Sequence, residues 1–166
     1  MMENQYTKKI LPPIHGEWED ILRHLLVRDN EEKFKKIAKV ISACKKAGVR
    51  VCPERKNMFR AFSLTPYEEL KAVIIGQDPY LNPKKATGLA FAIPESEEMT
   101  PSLDTIFQEV AMRGNDSIAY DITIGTRDEE KTLEHWAKQG VLLLNSALSI
   151  QEGHPGSHTK HWRYFI

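Results

Sequence analysis

Gly76-Gln77-Asp78-Pro79-Tyr80 is the stretch in which side chains able to do chemistry lie closest together. It follows Lys71-Ala72-Val73-Ile74-Ile75, which reads as a strand, so Asp78 stands at a carboxyl end, where open parallel sheets hold their ligands. Asn145 closes a second apolar run, Val141-Leu142-Leu143-Leu144, at the matching end. If the two strands are neighbours, a carboxylate and a carboxamide reach one crevice. Asp-Pro is also a common turn former, and on its own it leaves a turn and a reactive site equally open. Gly88-Leu89-Ala90-Phe91 supplies a ring that serves either the core or a ligand. Thr100-Pro101-Ser102 offers hydroxyls and free backbone N–H groups at a helix start, which suits a phosphate or a simple cap. The two cysteines, Cys44 and Cys52, lack CxxC spacing, which argues against a zinc ribbon or a disulfide scaffold.

The elements that must position these residues follow from periodicity. Trp18, Ile21, Leu22, Leu25 and Leu26 predict a helix near 17–28, and Phe34, Ile37, Val40, Ile41 and Cys44 a second one that ends before Gly48. The unbroken apolar runs at 71–76 and 141–144 suit parallel strands buried on both faces. Between them, Thr100-Pro101 starts a helix with Leu103, Ile106, Phe107 and Val110 on one side. Thr126-Arg127-Asp128-Glu129 fits a capping box for a helix carrying Leu133, Trp136 and Ala137 up to Gly140. Strand, helices, strand is a crossover unit with parallel neighbouring strands. Residues 113–127 read as a loop, and residues 1–16, with Pro12-Pro13 and Gly16, as an irregular arm.

Composition bounds the classes. The 166 residues are the size of one domain, and 41% hydrophobic against 28% charged residues predicts a folded chain. Twenty-three basic and 23 acidic groups balance, which excludes a highly basic nucleic-acid coat and a polyacidic tail. Residues 33–60 hold ten basic groups against the single acid Glu54. That run reads as a DNA-facing patch or as the solvated face of a helix and loop, and helix patterning favours the latter. No apolar run is long enough to span a membrane, and Met1-Met2-Glu3-Asn4-Gln5 is unlike a signal peptide, so a soluble cytoplasmic protein is expected.

Taken in order, the motifs resemble those of the uracil-DNA glycosylases of the bacterial, viral and mitochondrial type. The blocks are Gly76-Gln77-Asp78-Pro79-Tyr80, Gly88-Leu89-Ala90-Phe91, Pro101-Ser102-Leu103, Trp136 through Asn145, and Ser157-His158 with Trp162. The resemblance runs from about Trp18 to the last residue. It implies an α/β fold class, a parallel β-sheet core flanked by helices, with residues 1–16 as an N-terminal arm and 17–166 as the glycosylase-like domain. It also implies hydrolysis of the N-glycosidic bond of uracil in DNA during base excision repair, after the base is flipped out of the stack. The partner is uracil-containing DNA, met by a monomer that needs no metal and no cofactor.

Residue by residue, the resemblance makes Asp78 the carboxylate beside the attacking water and Asn145 the reader of the base. Tyr80 fills the space where thymine carries a methyl group, Phe91 stacks on the base, and Gln77 lies beside the water. Ser102 and His158 fall on the DNA side, with a structural hydrogen-bonding role as the alternative for His158. Two departures stand out. Leu81 occupies the place of a histidine that usually closes the first motif, and a late His-Pro-Ser-Pro-Leu motif does not occur. His154-Pro155-Gly156-Ser157 comes too soon after Asn145 to replace it and reads as a loop. The expectation is therefore a domain lacking the C-terminal part of its sheet, with a non-catalytic DNA- or uracil-binding module as the alternative to an active enzyme.

Overall fold

The computed structural model describes residue 14 and residues 16–25, 31–113 and 128–165. Nearly all of the expected arm at 1–16, positions 26–28 of the first helix, residues 114–127 of the expected loop and the Thr126-Arg127 part of the capping box lie outside them.

Helix α1 (Glu17–Arg23) opens with Glu17, Glu19 and Asp20 and ends on Arg23, a distribution that suits the helix dipole. It buries Trp18 and Leu22. The Trp18 indole donates to the Thr65 carbonyl at 2.7 Å, and its ring meets Phe62 edge-on at 4.9 Å. Helix α2 (Glu31–Lys46) has the same charge order and turns Phe34, Ile37 and Cys44 inward, as the spacing predicts. Its lysines face outward, and Lys35 pairs with Glu31 and Glu32.

Strand β1 (Val51–Cys52) follows, and then helix α3 (Arg60–Leu64), which sets Phe59 and Phe62 into the core. Neither short element has a signal in the sequence periodicity. Strand β2 (Ala72–Gly76), helix α4 (Pro101–Arg113), helix α5 (Glu134–Lys138) and strand β3 (Val141–Asn145) form the expected crossover. The two strands pair in parallel, Ala72 opposite Val141 through Gly76 opposite Asn145. Strand β4 (Ile150–Gln151) returns antiparallel to β1, and helix α6 (Thr159–Trp162) brings Trp162 into the core.

Two expectations are corrected. The helix expected from Thr126 to Gly140 is split: a 3-10 turn spans Asp128–Thr132, and Leu133, at φ 52°, breaks the helical path before α5. Leu133 is fully buried, so its packing outweighs the backbone cost. Gly140 does end α5, at φ 96°, and a β-carbon there would strike the Glu69 carbonyl. The second correction concerns β2, which is not buried on both faces. Val73 and Ile75 are 49% and 55% exposed. Side chains alternate along a strand, and the face carrying these two has no cover among the described residues. Helices α3 and α5 pack on β3, which is buried from Leu142 to Asn145.

The core joins α1, α2, α3, β3 and α6. Its centre is a ring cluster in which Phe59, Phe62, Trp162 and Phe165 meet edge-on or tilted at 5.7–6.4 Å. Such contacts add to simple area burial. Trp162 and Phe165 thus fasten the segment after β4 to the helices at the start of the chain.

Candidate active site

The parallel ladder continues beyond the strand ends. Ser146 N–H donates to Gly76 O at 2.8 Å and Ala147 N–H to Gln77 O at 3.1 Å, while the Ser146 hydroxyl adds a 2.8 Å bond to the same Gln77 carbonyl. These bonds hold the 76–80 segment against Asn145. Between them lies a cleft of about 350 Å3 lined by Gly76, Gln77, Asp78, Tyr80, Phe91, Ser102 and Asn145 among others. Six of the seven residues singled out in the sequence thus share one hollow at the carboxyl ends of the two strands. None of the ten basic residues of 33–60 lines it.

Asn145 is 6% exposed, and its carboxamide has no hydrogen-bond partner among the described residues. A nearly buried amide is ordinarily satisfied, so this one is aimed at whatever enters the cleft. Gly76 makes the arrangement possible: a β-carbon there would collide with Asn145 Oδ1 and crowd the Ala90 methyl at 3.1 Å.

Asp78 is held from the far side. Its Oδ2 accepts the Gly156 N–H at 2.8 Å and its Oδ1 the Thr159 hydroxyl at 3.3 Å. A carboxylate has about four acceptor positions, so two bonds orient it and leave capacity for a water in the cleft. Gly156 and Thr159 carry no motif in the sequence; only the return of the chain after β4 brings them to Asp78.

Tyr80 is half-buried. Its hydroxyl lies 2.9 Å from the Phe91 carbonyl and 2.7 Å from Thr100 Oγ1, and burial pushes its phenol above the ordinary value. Phe91 sits at φ 64°, a left-handed conformation that is costly for an aromatic residue and that collects at functional sites. Ala90 N–H donates to Leu143 O at 3.0 Å, tying this segment to β3. Ser102 is exposed in the first turn of α4, at the cleft edge.

His158, expected on the DNA side or as a structural hydrogen-bonder, lies outside the cleft. It has no exposed surface: Nδ1 is 3.0 Å from Ser149 Oγ, Nε2 is 3.9 Å from Cys44 Sγ, and the Trp162 indole donates to the same Ser149 oxygen at 2.9 Å. Burial pushes its imidazole below the ordinary value. A side chain enclosed in this way is a structural hydrogen-bonder, because reaching phosphate would break the network. His154 is an exposed loop residue, its Nδ1 2.8 Å from the Glu152 carbonyl, as its place in the sequence implies.

Fold and site together define an α/β protein with a cleft at the tips of two parallel strands, furnished with a carboxylate, an amide and two rings. Curated uracil-DNA glycosylases are among its relatives. The chain is 40% identical over 149 residues to the uracil-DNA glycosylase of Coxiella burnetii (strain CbuG_Q212), a match covering 89% of this chain and 60% of that protein. It is 38% identical over 144 residues to that of Streptococcus equi subsp. zooepidemicus (strain MGCS10565), covering 87% and 59%. The chain thus spans about 60% of the length of these curated relatives. No protein-family model matches it.

Among solved structures, a point mutant of mimivirus UNG in complex with UGI superposes with a TM-score of 0.75 at 23% identity, over 95% of this chain and 55% of that one. A point mutant of UNG from Nitratifractor salsuginis gives 0.57 at 25% identity, over 92% and 68%. The fold is therefore that of the uracil-DNA glycosylases, and the resemblance read from the motifs extends along nearly nine-tenths of the chain.

Proposed function

We propose that this chain hydrolyses the N-glycosidic bond between uracil and deoxyribose in DNA. The observation that carries the proposal is the cleft shared by Asp78 and Asn145, with the Asn145 amide free to bind a ligand. The likeness to curated uracil-DNA glycosylases supports it.

The target base leaves the stack and enters the cleft. An amide offers one acceptor and two donors, so Asn145 answers the N3–H and O4 of uracil together. Cytosine presents the reverse pattern there and leaves polar groups unpaired, at about 1–3 kcal/mol each. Phe91 stacks on the base, and base–ring stacking is worth about 1–3 kcal/mol. The Tyr80 ring stands where a 5-methyl group would project. Asp78, fixed by Gly156 and Thr159, orients the attacking water and stabilises the positive charge that grows on the sugar. Gln77 lies beside that water, and Ser102 grips a phosphate, which positions the strand without reading its sequence.

The test is release of uracil from a single-uracil oligonucleotide, read as strand cleavage at abasic sites. Release above an Asp78→Asn control is expected. No release by the chain would overturn the proposal, and retained affinity for uracil DNA in that case would identify a binding module instead.

A further inference from the structure

We propose that Thr100 is a positioning residue for Tyr80 and that it thereby sets how bulky a pyrimidine the cleft admits. The inference rests on the reading above, that the cleft takes uracil.

Thr100 directly precedes α4 and is only 9% exposed. In that place a threonine hydroxyl ordinarily accepts from the free N–H groups of the first turn. Here it lies 2.7 Å from the Tyr80 hydroxyl, and no other partner is described for it. Proton counting assigns the directions. A carbonyl only accepts, so the single phenolic proton goes to Phe91 O, 2.9 Å away. The Thr100 hydroxyl must then donate to the phenolic oxygen. The phenol is held from two sides, and the clasp ties together three parts of the cleft: the Tyr80 segment, the strained Phe91 turn at φ 64° and the start of α4 that carries Ser102.

This matters because exclusion by size is only as strong as the wall is stiff. A single methyl in a pocket yields a discrimination of about 10–200-fold, and a ring free to tilt gives that up. Tyr80 packs against the Cys52, Ala86 and Ile150 cluster but is partly exposed and borders open cleft volume, so packing encloses the ring on one side and leaves it room to tilt on the other. The hydroxyl end is where it is fastened. Without Thr100 donating, one of the two hydrogen bonds on the phenol is lost while the bond to Phe91 O remains.

Two readouts separate this role from general stability. The first is the phenol ionisation of Tyr80, taken by ultraviolet difference titration with Tyr80→Phe as the reference for the other tyrosines. Burial raises this phenol, and the Thr100 hydroxyl opposes the rise. Thr100→Val should therefore titrate at higher pH than the parent chain, and Thr100→Ser, which keeps the hydroxyl, should not. The second is equilibrium binding of free uracil and free thymine. The preference for uracil should fall about tenfold in Thr100→Val, through tighter thymine binding, and return in Thr100→Ser. Thr100→Ala replaces the valine variant if that does not fold. An unmoved phenol together with an unmoved preference in a folded variant overturns the proposal. A parent chain that binds neither base overturns the uracil reading and the selectivity role with it, while the titration still shows by itself whether Thr100 holds Tyr80.

Discussion

At the scale of single residues, the cleft depends on an omission as much as on its functional groups. Gly76 has no side chain where Asn145 Oδ1 passes, and that passage lets the carboxamide face the cleft. Gly76→Ala places a β-carbon against this oxygen, with the Ala90 methyl 3.1 Å from it. The Asn145 amide must then shift. Misplacement by about 1 Å costs on the order of a hundredfold in rate, so the variant should lose uracil release by roughly that factor while melting close to the parent chain. Activity equal to the parent would show that the amide has another way into the cleft. Asp78 and Asn145 were legible in the sequence because each ends or follows a local apolar run, whereas Tyr80 and Phe91 were marked only by the motif resemblance. Gly156 and Thr159 were not, since their contact with Asp78 spans about eighty positions and has no local pattern.

At the scale of elements, the segment from β4 to α6 is the joint of the molecule. It presents Gly156 and Thr159 to Asp78 on one side and buries His158 and Trp162 on the other, where Ser149 and Cys44 receive them. The joint carries a pH dependence. Burial keeps the His158 imidazole below its ordinary value of 6.5, the neighbouring His161 adds to the effect, and Ser149 and Asp78 oppose it. The unfolded chain takes up a proton near 6.5 that the folded chain refuses until lower pH. This contribution to stability is therefore whole above the unfolded value and is lost as pH falls toward the folded one. His135 and His161 are also lowered by burial and act in the same direction. The melting temperature should fall between about pH 7 and pH 5, and less steeply in His158→Gln. Equal slopes in the two proteins would remove His158 as a source of the effect.

At the scale of the whole molecule, charge is neutral overall and the basic run at 33–60 lies outside the cleft. Several of the basic groups at 33–60 are already paired, Arg60 with Glu134, Lys56 with Glu54 and Lys35 with Glu31. DNA should be held through few phosphate contacts. The logarithm of its affinity should fall with the logarithm of salt at a slope smaller than the five to nine or so that about six to ten phosphate contacts produce. A slope in that range would mean that the α2 surface meets DNA after all. The same scale explains the misreading of β2. An unbroken apolar run looks alike whether one face or both are covered, and coverage is decided by which helices arrive. Here they arrive on β3, leaving Val73 and Ile75 exposed.

By itself the sequence determined the crossover of two parallel strands, the inward Trp18 and Leu22 of α1, though not Leu25, which is exposed, the inward stripe of α2, and the carboxylate and amide at the strand tips. All of these are local patterns of spacing or residues adjacent to one. Tertiary structure alone decided that Thr159 and Gly156 orient Asp78, that Thr100 reaches Tyr80 and that His158 turns into the core. Each of these is a meeting of residues from separate segments, and periodicity records only the face a residue takes on its own element, never the partner it finds there.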